Sequence, residues 1–497
     1  MDGVFWIKAI QMVASLSLLV IIHEFGHFLF SRLFHTRVEK FYAFFNPRFS
    51  IMRCKKIKGK WQFKFFAPNV PDSYDKQVFT NPEGKEAVIY TPIDISKLPE
   101  DDWRCYPEST EFGIGWLPLG GYCKIAGMID ESMDSGSLQQ EPQPWEFRTK
   151  NAWQRLLIMA GGVLFNVIFA FILYSMLILK NGETYIPLQD LKYGLEFNEQ
   201  AKRDGFADGD IILSVDGKCV KEYDAHFWRK VVSADNVVVL REGKEITIPI
   251  PETLTLFDFT SSYPYMSIYM PMVIDSVLPG GPADLRGLRA GDLIVDINGH
   301  NVSTWTKFQN QIEAMRQSEK ENVVSHKLDI TIDRPGEGLI NTNIVSDANF
   351  RFGIVHRVDA YSIVTDNYNV LQCIPQGIRY GWRTLCGYVS DFQYVFTKEG
   401  AKNLGGFGSI GSIFPSSWDW TQFFTLTALL SIVLAFMNVL PIPALDGGYI
   451  LFLLFEIITR RKPSDKFMER AVSIGMVLML ALLIWANMND VLRFFQR

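Results

Sequence analysis

The chain has 497 residues, and its 49 lysines and arginines fall just short of its 54 acids, for a net charge of −5. That balance excludes a nucleic-acid binder built on a basic surface, and 48% hydrophobic with 21% charged residues excludes a disordered chain. Six cysteines, placed singly at 54, 105, 123, 219, 373 and 386, exclude a disulfide scaffold and a cysteine-built metal site.

Apolar residues are concentrated in four blocks. The first runs from Ala9 to Ile22 and stays apolar through Phe25, Phe28, Leu29 and Phe30, past His23 and Glu24. A cleaved secretory signal and a retained span are the two readings of such a start; no small-x-small cleavage site follows, which favours the span. The other blocks are 24 uncharged residues between Arg155 and Lys180, 26 between Asp419 and Asp446, and 19 between Arg470 and Asp490. A helix of about 20 residues crosses a hydrocarbon core, so spans are expected at 1–35, 151–180, 419–446 and 470–490.

Basic residues orient these spans. Ser31 to Val70 holds ten lysines and arginines and one acid, Glu39; Arg148, Lys150 and Arg155 crowd the start of the second span. Arg460, Arg461, Lys462, Lys466 and Arg470 fill the link between the last two. The positive-inside rule puts all three regions in the cytoplasm, with both termini and the 181–418 segment outside.

Residues 36–150 form a cytoplasmic-side region that includes a stretch, 55–107, rich in charged and turn residues. In the outer segment two stretches repeat each other, Asp204-Gly-Phe-Ala-Asp-Gly-Asp-Ile-Ile-Leu-Ser-Val-Asp-Gly217 and Arg286-Gly-Leu-Arg-Ala-Gly-Asp-Leu-Ile-Val-Asp-Ile-Asn-Gly299. Each reads as a turn, a short apolar strand and a tight Asp-Gly or Asn-Gly turn. They resemble PDZ domains of bacterial envelope proteases, and modules are expected at 190–260 and 265–348. Such modules take a peptide as an added strand; without a clear Gly-Leu-Gly-Phe loop, a filter against bulky substrates is the competing reading. The 360–418 segment mixes aromatics and charges, as an amphipathic helix on the outer leaflet or a packed helix under the modules would.

His23-Glu24-Phe25-Gly26-His27 is an HExxH pattern. Positions i and i+4 share a helix face, so both imidazoles can reach one ion with Glu24 beside it. Three ionisable groups at one end of an apolar helix are costly unless they bind something. Zinc on two histidines needs a third protein ligand and, in catalytic sites, keeps a position open. Asp446 is the first acid after the third apolar run, and Pro441 and Pro443 break the helix just before it. The break can swing its carboxylate inward, into a cavity that Asn438 also faces. The expected set is zinc on His23, His27 and Asp446, with Glu24 as general base.

HExxH in one span with Asn-x-x-Pro-x-Pro-x-Leu-Asp-Gly-Gly in a later one resembles the site-2 family of intramembrane zinc metalloproteases. Asn438, Pro441, Pro443, Asp446 and Gly447 fall on the family's positions, as does Gly113 to Gly127. The resemblance implies a multi-pass α-helical protein of the bacterial inner membrane: four transmembrane helices, a membrane-reentrant β-hairpin over 112–128 and two β-rich PDZ-like domains on the periplasmic side. It further implies that the hairpin edge, with Gly120, Gly121 and Tyr122, receives an unwound substrate strand whose backbone Asn438 helps to hold. The implied partners are the lipid bilayer and single-pass membrane proteins, such as anti-sigma factors or remnant signal peptides, cut after a first extracytoplasmic cleavage. Two stretches depart from the family pattern: the 55–107 insertion, and Leu404-Gly-Gly-Phe-Gly-Ser-Ile410, where Gly-Pro is usual. The rival reading is a membrane scaffold with peptide-binding modules and a structural metal. Structural zinc normally has four protein ligands, and only three are visible.

Overall fold

The structure, a computed structural model, describes residues 3–69, 74–80, 86–118, 120–128, 141–224, 226–260, 263–318, 325–348, 350–397, 400–401 and 404–496. Parts of the 55–107 insertion and position 119 of the expected hairpin lie outside them. The chain forms two compact units, Met1–Asn181 with Tyr368–Arg497, and Gly182–Asn367.

The first unit opens with α1 (Gly3–Leu33), one uninterrupted helix that takes in the first apolar block and the HExxH pattern. Strands β1 (Val38–Tyr42), β2 (Phe49–Ile57) and β3 (Lys60–Pro68) follow, then a separate pair, β4 (Tyr74–Thr80) and β5 (Glu86–Pro92), then β6 (Glu111–Ile114) and β7 (Tyr122–Ile125). The main sheet has the order β3-β2-β6-β1-β7. This corrects the expected hairpin: β6 and β7 do not pair with each other. β1 lies between them, parallel to β6 and antiparallel to β7. The five residues of β1 follow α1 almost directly, among charges, and gave no alternating signal strong enough to read.

One register row crosses the whole sheet, Phe63, Cys54, Phe112, Phe41 and Cys123. On this face Phe28 of α1 packs edge-on against Phe41 and Phe112, with centroids 5.5 and 5.7 Å away, and Trp61 lies 6.0 Å from Phe112. The opposite row, Lys64, Arg53, Gly113, Tyr42 and Tyr122, carries polar groups. Trp103 covers it: Lys55 Nζ donates to the Trp103 carbonyl at 3.0 Å, and Arg53 stacks 5.0 Å over the indole. Burial against Trp103 pulls the Lys55 ammonium below the ordinary lysine range.

Helix α2 (Ala152–Asn181) crosses α1 at glycines. A Cβ on Gly26 would meet the Gly161 carbonyl, and one on Gly161 would lie 2.7 Å from the Gly26 oxygen. Small residues let two helices touch backbone to backbone where lipid offers no hydrophobic drive to associate.

The second unit repeats one plan twice. After β8 (Glu183–Pro187), the first copy runs β9 (Leu195–Phe197), α3 (Glu199–Arg203), β10 (Ile211–Val215), β11 (Lys218–Cys219), β12 (Glu222–Tyr223), α4 (Phe227–Val232), β13 (Asn236–Arg241), β14 (Lys244–Pro249), α5 (Leu256–Thr260) and β15 (Met266–Ile268). The second runs β16 (Ile274–Val277), β17 (Leu293–Ile297), β18 (His300–Asn301), α6 (Trp305–Gln317), β19 (Ser325–Arg334), β20 (Gly338–Asp347) and β21 (Ile354–His356), and β22 (Val364–Asp366) then pairs with β8. The sheets β11-β10-β13-β14 and β18-β17-β19-β20 have the same topology. In each copy the last strand pairs antiparallel with the first, so the modules close at Ile268 and His356, beyond the bounds read from sequence. Each also holds a buried aspartate against an arginine of the long hairpin: Asp210 with Arg241, and Asp292 with Arg334 at 2.8 Å from two guanidinium nitrogens.

The chain then returns to the first unit through α7 (Val370–Asp391), which packs along α2 with Gly377 and Gly381 buried. Helices α8 (Phe407–Ser412), α9 (Trp420–Val439), α10 (Asp446–Thr459) and α11 (Asp465–Gln496) complete it. The Leu404–Ile410 stretch is held by α11: Asp490 accepts from the Gly406 and Ser409 amides, at 2.9 and 3.0 Å, and from the Ser409 hydroxyl. Among the described residues four helices, α1, α2, α9 and α11, are long and apolar enough to cross a membrane. The helix of the third apolar block ends at Val439, the chain breaks over 440–445 and α10 starts at Asp446, its N-terminus seated against the end of α9: a Cβ on Gly447 would meet the Leu440 and Val439 carbonyls. Ala444, in the turn between them, has a φ of 90°, a left-handed conformation held by the flanking prolines and helix ends.

Candidate metal centre

Histidines 23 and 27 lie one turn apart on the buried face of α1, and the α9–α10 break brings Asp446 to them. His23 Nε2 is 3.1 Å and His27 Nε2 3.2 Å from Asp446 Oδ2, and the two Nε2 atoms are 3.2 Å apart. A tetrahedral ion with bonds of about 2.0–2.1 Å has ligand-to-ligand edges of about 3.3 Å. The triangle matches one face of that tetrahedron, with the fourth corner left for water or substrate. Asp446 Oδ2 is buried and accepts no well-formed hydrogen bond, an orphan carboxylate oxygen aimed at two imidazole nitrogens.

The tautomers agree. His27 Nδ1 lies 2.9 Å from the Ile158 carbonyl, which can only accept, so Nδ1 carries the proton and Nε2 keeps its lone pair for a metal. His23 Nδ1 lies 3.3 Å from the side-chain amide of Asn166, whose Oδ1 is buried without a partner. A half-turn of that amide lets Oδ1 accept from Nδ1–H, fixing His23 in the same tautomer. The residues present therefore fit zinc.

Asn166 was missed in the sequence. It sits uncharged inside the second apolar block, and the signal available was a fully buried-type position carrying a side chain with four hydrogen-bonding groups in lipid surroundings. Gly162, one turn earlier on α2, is the second omission. A Cβ there would lie 2.5 Å from both His23 Cε1 and His27 Nε2.

Glu24, between the two histidines, lies against the backbone amide of Cys123 in β7. Asn438 Nδ2 is 3.3 Å from His23 Nε2, beside the trio. Gly120 and Gly121 lead into β7 rather than lying in it. Tyr122 faces inward: it pairs with Tyr42, its ring stacks on Tyr42 at 5.2 Å, and its hydroxyl donates to Asn46 at 3.0 Å. Ala43 donates its N–H to Gly113, so Phe41, two residues earlier, also turns toward β6, while Tyr42 turns toward β7. Tyr122 therefore spends its ladder groups on β1, and the next residue, Cys123, turns its N–H away from β1, where the Glu24 carboxylate meets it. This corrects the expectation that Tyr122 supplies the edge donor. Among the described residues β7 has no strand on that side.

The sequence pattern of peptidase family M50 matches residues 11–68 and 103–482. The match runs through β2 and β3 and breaks only over 69–102, which narrows the insertion read from sequence. Among curated relatives, the regulator of sigma E protease of Haemophilus influenzae is 26% identical over 408 residues, 77% of this chain and 87% of its own. The protease RseP of Yersinia pestis is 24% identical over 519 residues, 99% of both chains. The regulator of sigma-E protease RseP of Escherichia coli K12 is 24% identical over 501 residues, 96% of this chain and 97% of its own. With the HExxH and Leu-Asp-Gly segments inside a match that covers most of its length, the chain belongs to peptidase family M50, the site-2 zinc metalloproteases.

Proposed function

We propose that this protein hydrolyses a peptide bond within the transmembrane helix of single-pass membrane proteins, anti-sigma factors or remnant signal peptides among them, after a first cut outside the membrane. The observation that carries the reading is the open edge of β7, which meets Glu24 at Cys123 beside the His23–His27–Asp446 triangle. A helix in lipid keeps its amides in internal hydrogen bonds, so it must unwind before it can be attacked. Strand addition to β7 replaces those bonds and lays the backbone across the site.

In this mechanism His23, His27 and Asp446 hold zinc, which when bound polarises the scissile carbonyl and acidifies water near neutral pH. Ile158 and Asn166 keep both imidazoles in the ligating tautomer. Glu24 takes a proton from the attacking water and returns one to the leaving amine. The Asn438 amide, beside the trio, holds the substrate backbone.

The aromatic face of the sheet, continuous through Phe28 with the apolar surface of α1, supports a sheet that enters the membrane from the cytoplasmic side. The basic links support an orientation with both termini and the two modules in the periplasm of a bacterial inner membrane. The duplicated modules act as a size filter for trimmed substrates. The test is cleavage of a pre-trimmed reporter helix by the purified protein in nanodiscs, with product masses locating the cut. A cut inside the apolar stretch is expected; cuts confined to flanking loops would contradict the reading.

A further inference from the structure

Helix α2 supplies none of the three metal ligands, yet one face of it meets the whole site. Arg155, Ile158, Met159, Gly162 and Asn166 are all buried. At about 100° per residue they lie within about 60° of one line along the helix. The Asn166 amide is 3.3 Å from His23 Nδ1, and the Ile158 carbonyl accepts from His27 Nδ1 at 2.9 Å. Gly162 leaves the room that both rings need. Both histidines are therefore held directly from α2. The third ligand, Asp446, is the first residue of α10 and needs another link.

That link lies further along the same face of α2. Arg155 Nη2 donates to Glu456 Oε1 at 2.5 Å, and its Nε donates to the Lys150 carbonyl at 3.0 Å. The Arg155 side chain is 9% exposed and that of Glu456 17%, so the pair is largely out of solvent. Leu453 of α10 packs in one apolar cluster with Ile158 and Met159, the turn of α2 after Arg155. An apolar contact of this kind tolerates sliding, because it has no preferred direction. A guanidinium held by a backbone carbonyl and a carboxylate at once does not. The constraint matters here because α9 ends at Val439 and no continuous helix carries its register into α10. A slide of α10 by one residue would move Asp446 about 1.5 Å along the axis. That is about half the 3.1 Å between its Oδ2 and His23 Nε2. Buried ion pairs add little net stability over apolar residues of similar size, and fixing register is their best-attested use.

We propose that Arg155 and Glu456 are positioning residues of the metal centre: their ion pair fixes α10 in register against α2 and so delivers Asp446 to the two histidines. The proposal rests on the ligand set given above, not on which peptide bond is cut. It makes α2 the template of the site, through Asn166 for His23, Ile158 for His27 and Arg155 for Asp446.

The test compares the full-length parent in detergent with Glu456→Leu, with the double variant Arg155→Met and Glu456→Leu, and with Asp446→Asn. Chelator competition reads zinc affinity, and thermal unfolding of the metal-free protein reads the fold. Glu456→Leu leaves a buried guanidinium without its carboxylate, so its melting temperature should fall, and its zinc affinity by about tenfold or more. The double variant removes both charges, so its metal-free melting temperature should return to that of the parent. Its zinc affinity should nevertheless stay about tenfold or more below the parent's, because apolar packing alone does not hold the register of α10. That split separates a positioning role from a merely structural one. Parent-like zinc affinity in the double variant, or in Glu456→Leu, would overturn the proposal while leaving the ligand set intact. Parent-like affinity in Asp446→Asn would overturn the ligand set, and the proposal with it.

Discussion

Replacing Gly162 by alanine places one methyl group between the two histidines. The new carbon would lie 2.5 Å from His23 Cε1, 2.5 Å from His27 Nε2 and 2.8 Å from His23 Nδ1. Carbon contacts settle at about 3.5–4.0 Å, so the rings must withdraw by about 1 Å or α2 must move away. His27 cannot withdraw without straining its 2.9 Å bond to Ile158, which is also on α2. Changes in the shell around metal ligands cost about 10–100-fold in affinity, and a 1 Å misplacement at a reacting centre costs about 100-fold in rate. Zinc affinity, read by competition with a chromogenic chelator in detergent, should therefore fall by about 10–100-fold. Gly161→Ala is the comparator, because its methyl would crowd Gly26 and Phe30 at 2.7 Å without reaching the rings. Both variants should melt at lower temperature, but only Gly162→Ala should lose zinc affinity. Unchanged affinity in Gly162→Ala, or an equal loss in Gly161→Ala, would refute the argument that this glycine makes room for the ligands.

Asn166→Ala should weaken zinc binding by about tenfold or more with little change in fold, since it frees the His23 tautomer; chelator competition reads this too. Asp446→Asn should lower zinc content and cleavage together, measured by elemental analysis and reporter cutting. Cys123→Pro should slow cleavage of every substrate, because it removes the outward N–H of β7 that meets both Glu24 and an added strand, whereas Cys123→Ser should not. In the second unit, burial alone would raise the Asp292 carboxyl, but bonds from Arg334 and the Arg289 amide outweigh it and hold its pKa below 3.8. A depressed carboxyl lends stability above its unfolded pKa that is lost as pH falls through the folded one. Unfolding of the parent should accordingly show an acid-sensitive component below about pH 4 that Asp292→Asn lacks.

Much of the metal centre was legible because helix geometry alone brings His23 and His27 together, and because a lone acid after a proline-broken apolar run has little else to do. Four apolar blocks likewise gave α1, α2, α9 and α11 by length and charge. The repeat gave the two modules, since Gly-Asp and Asp-Gly or Asn-Gly fix turns by local chemistry; Asp216 and Asn298 both adopt positive φ there, at 48° and 53°. What sequence did not reveal depends on contacts between distant segments. β1 is too short to announce itself, and its insertion between β6 and β7 turned an expected hairpin into a three-strand crossing. That insertion also decides which backbone groups of β7 face away from β1, so the outward N–H beside Glu24 belongs to Cys123 rather than Tyr122. Asn166 and Gly162 look like ordinary residues of an apolar helix until α1 is laid across them.

The central claim is that three side chains hold zinc while Glu24 moves the proton. It is tested most directly by measuring zinc content and reporter cleavage on one preparation of Glu24→Gln. Full zinc occupancy with cleavage abolished is the expected result. Undiminished cleavage with zinc in place would contradict the account.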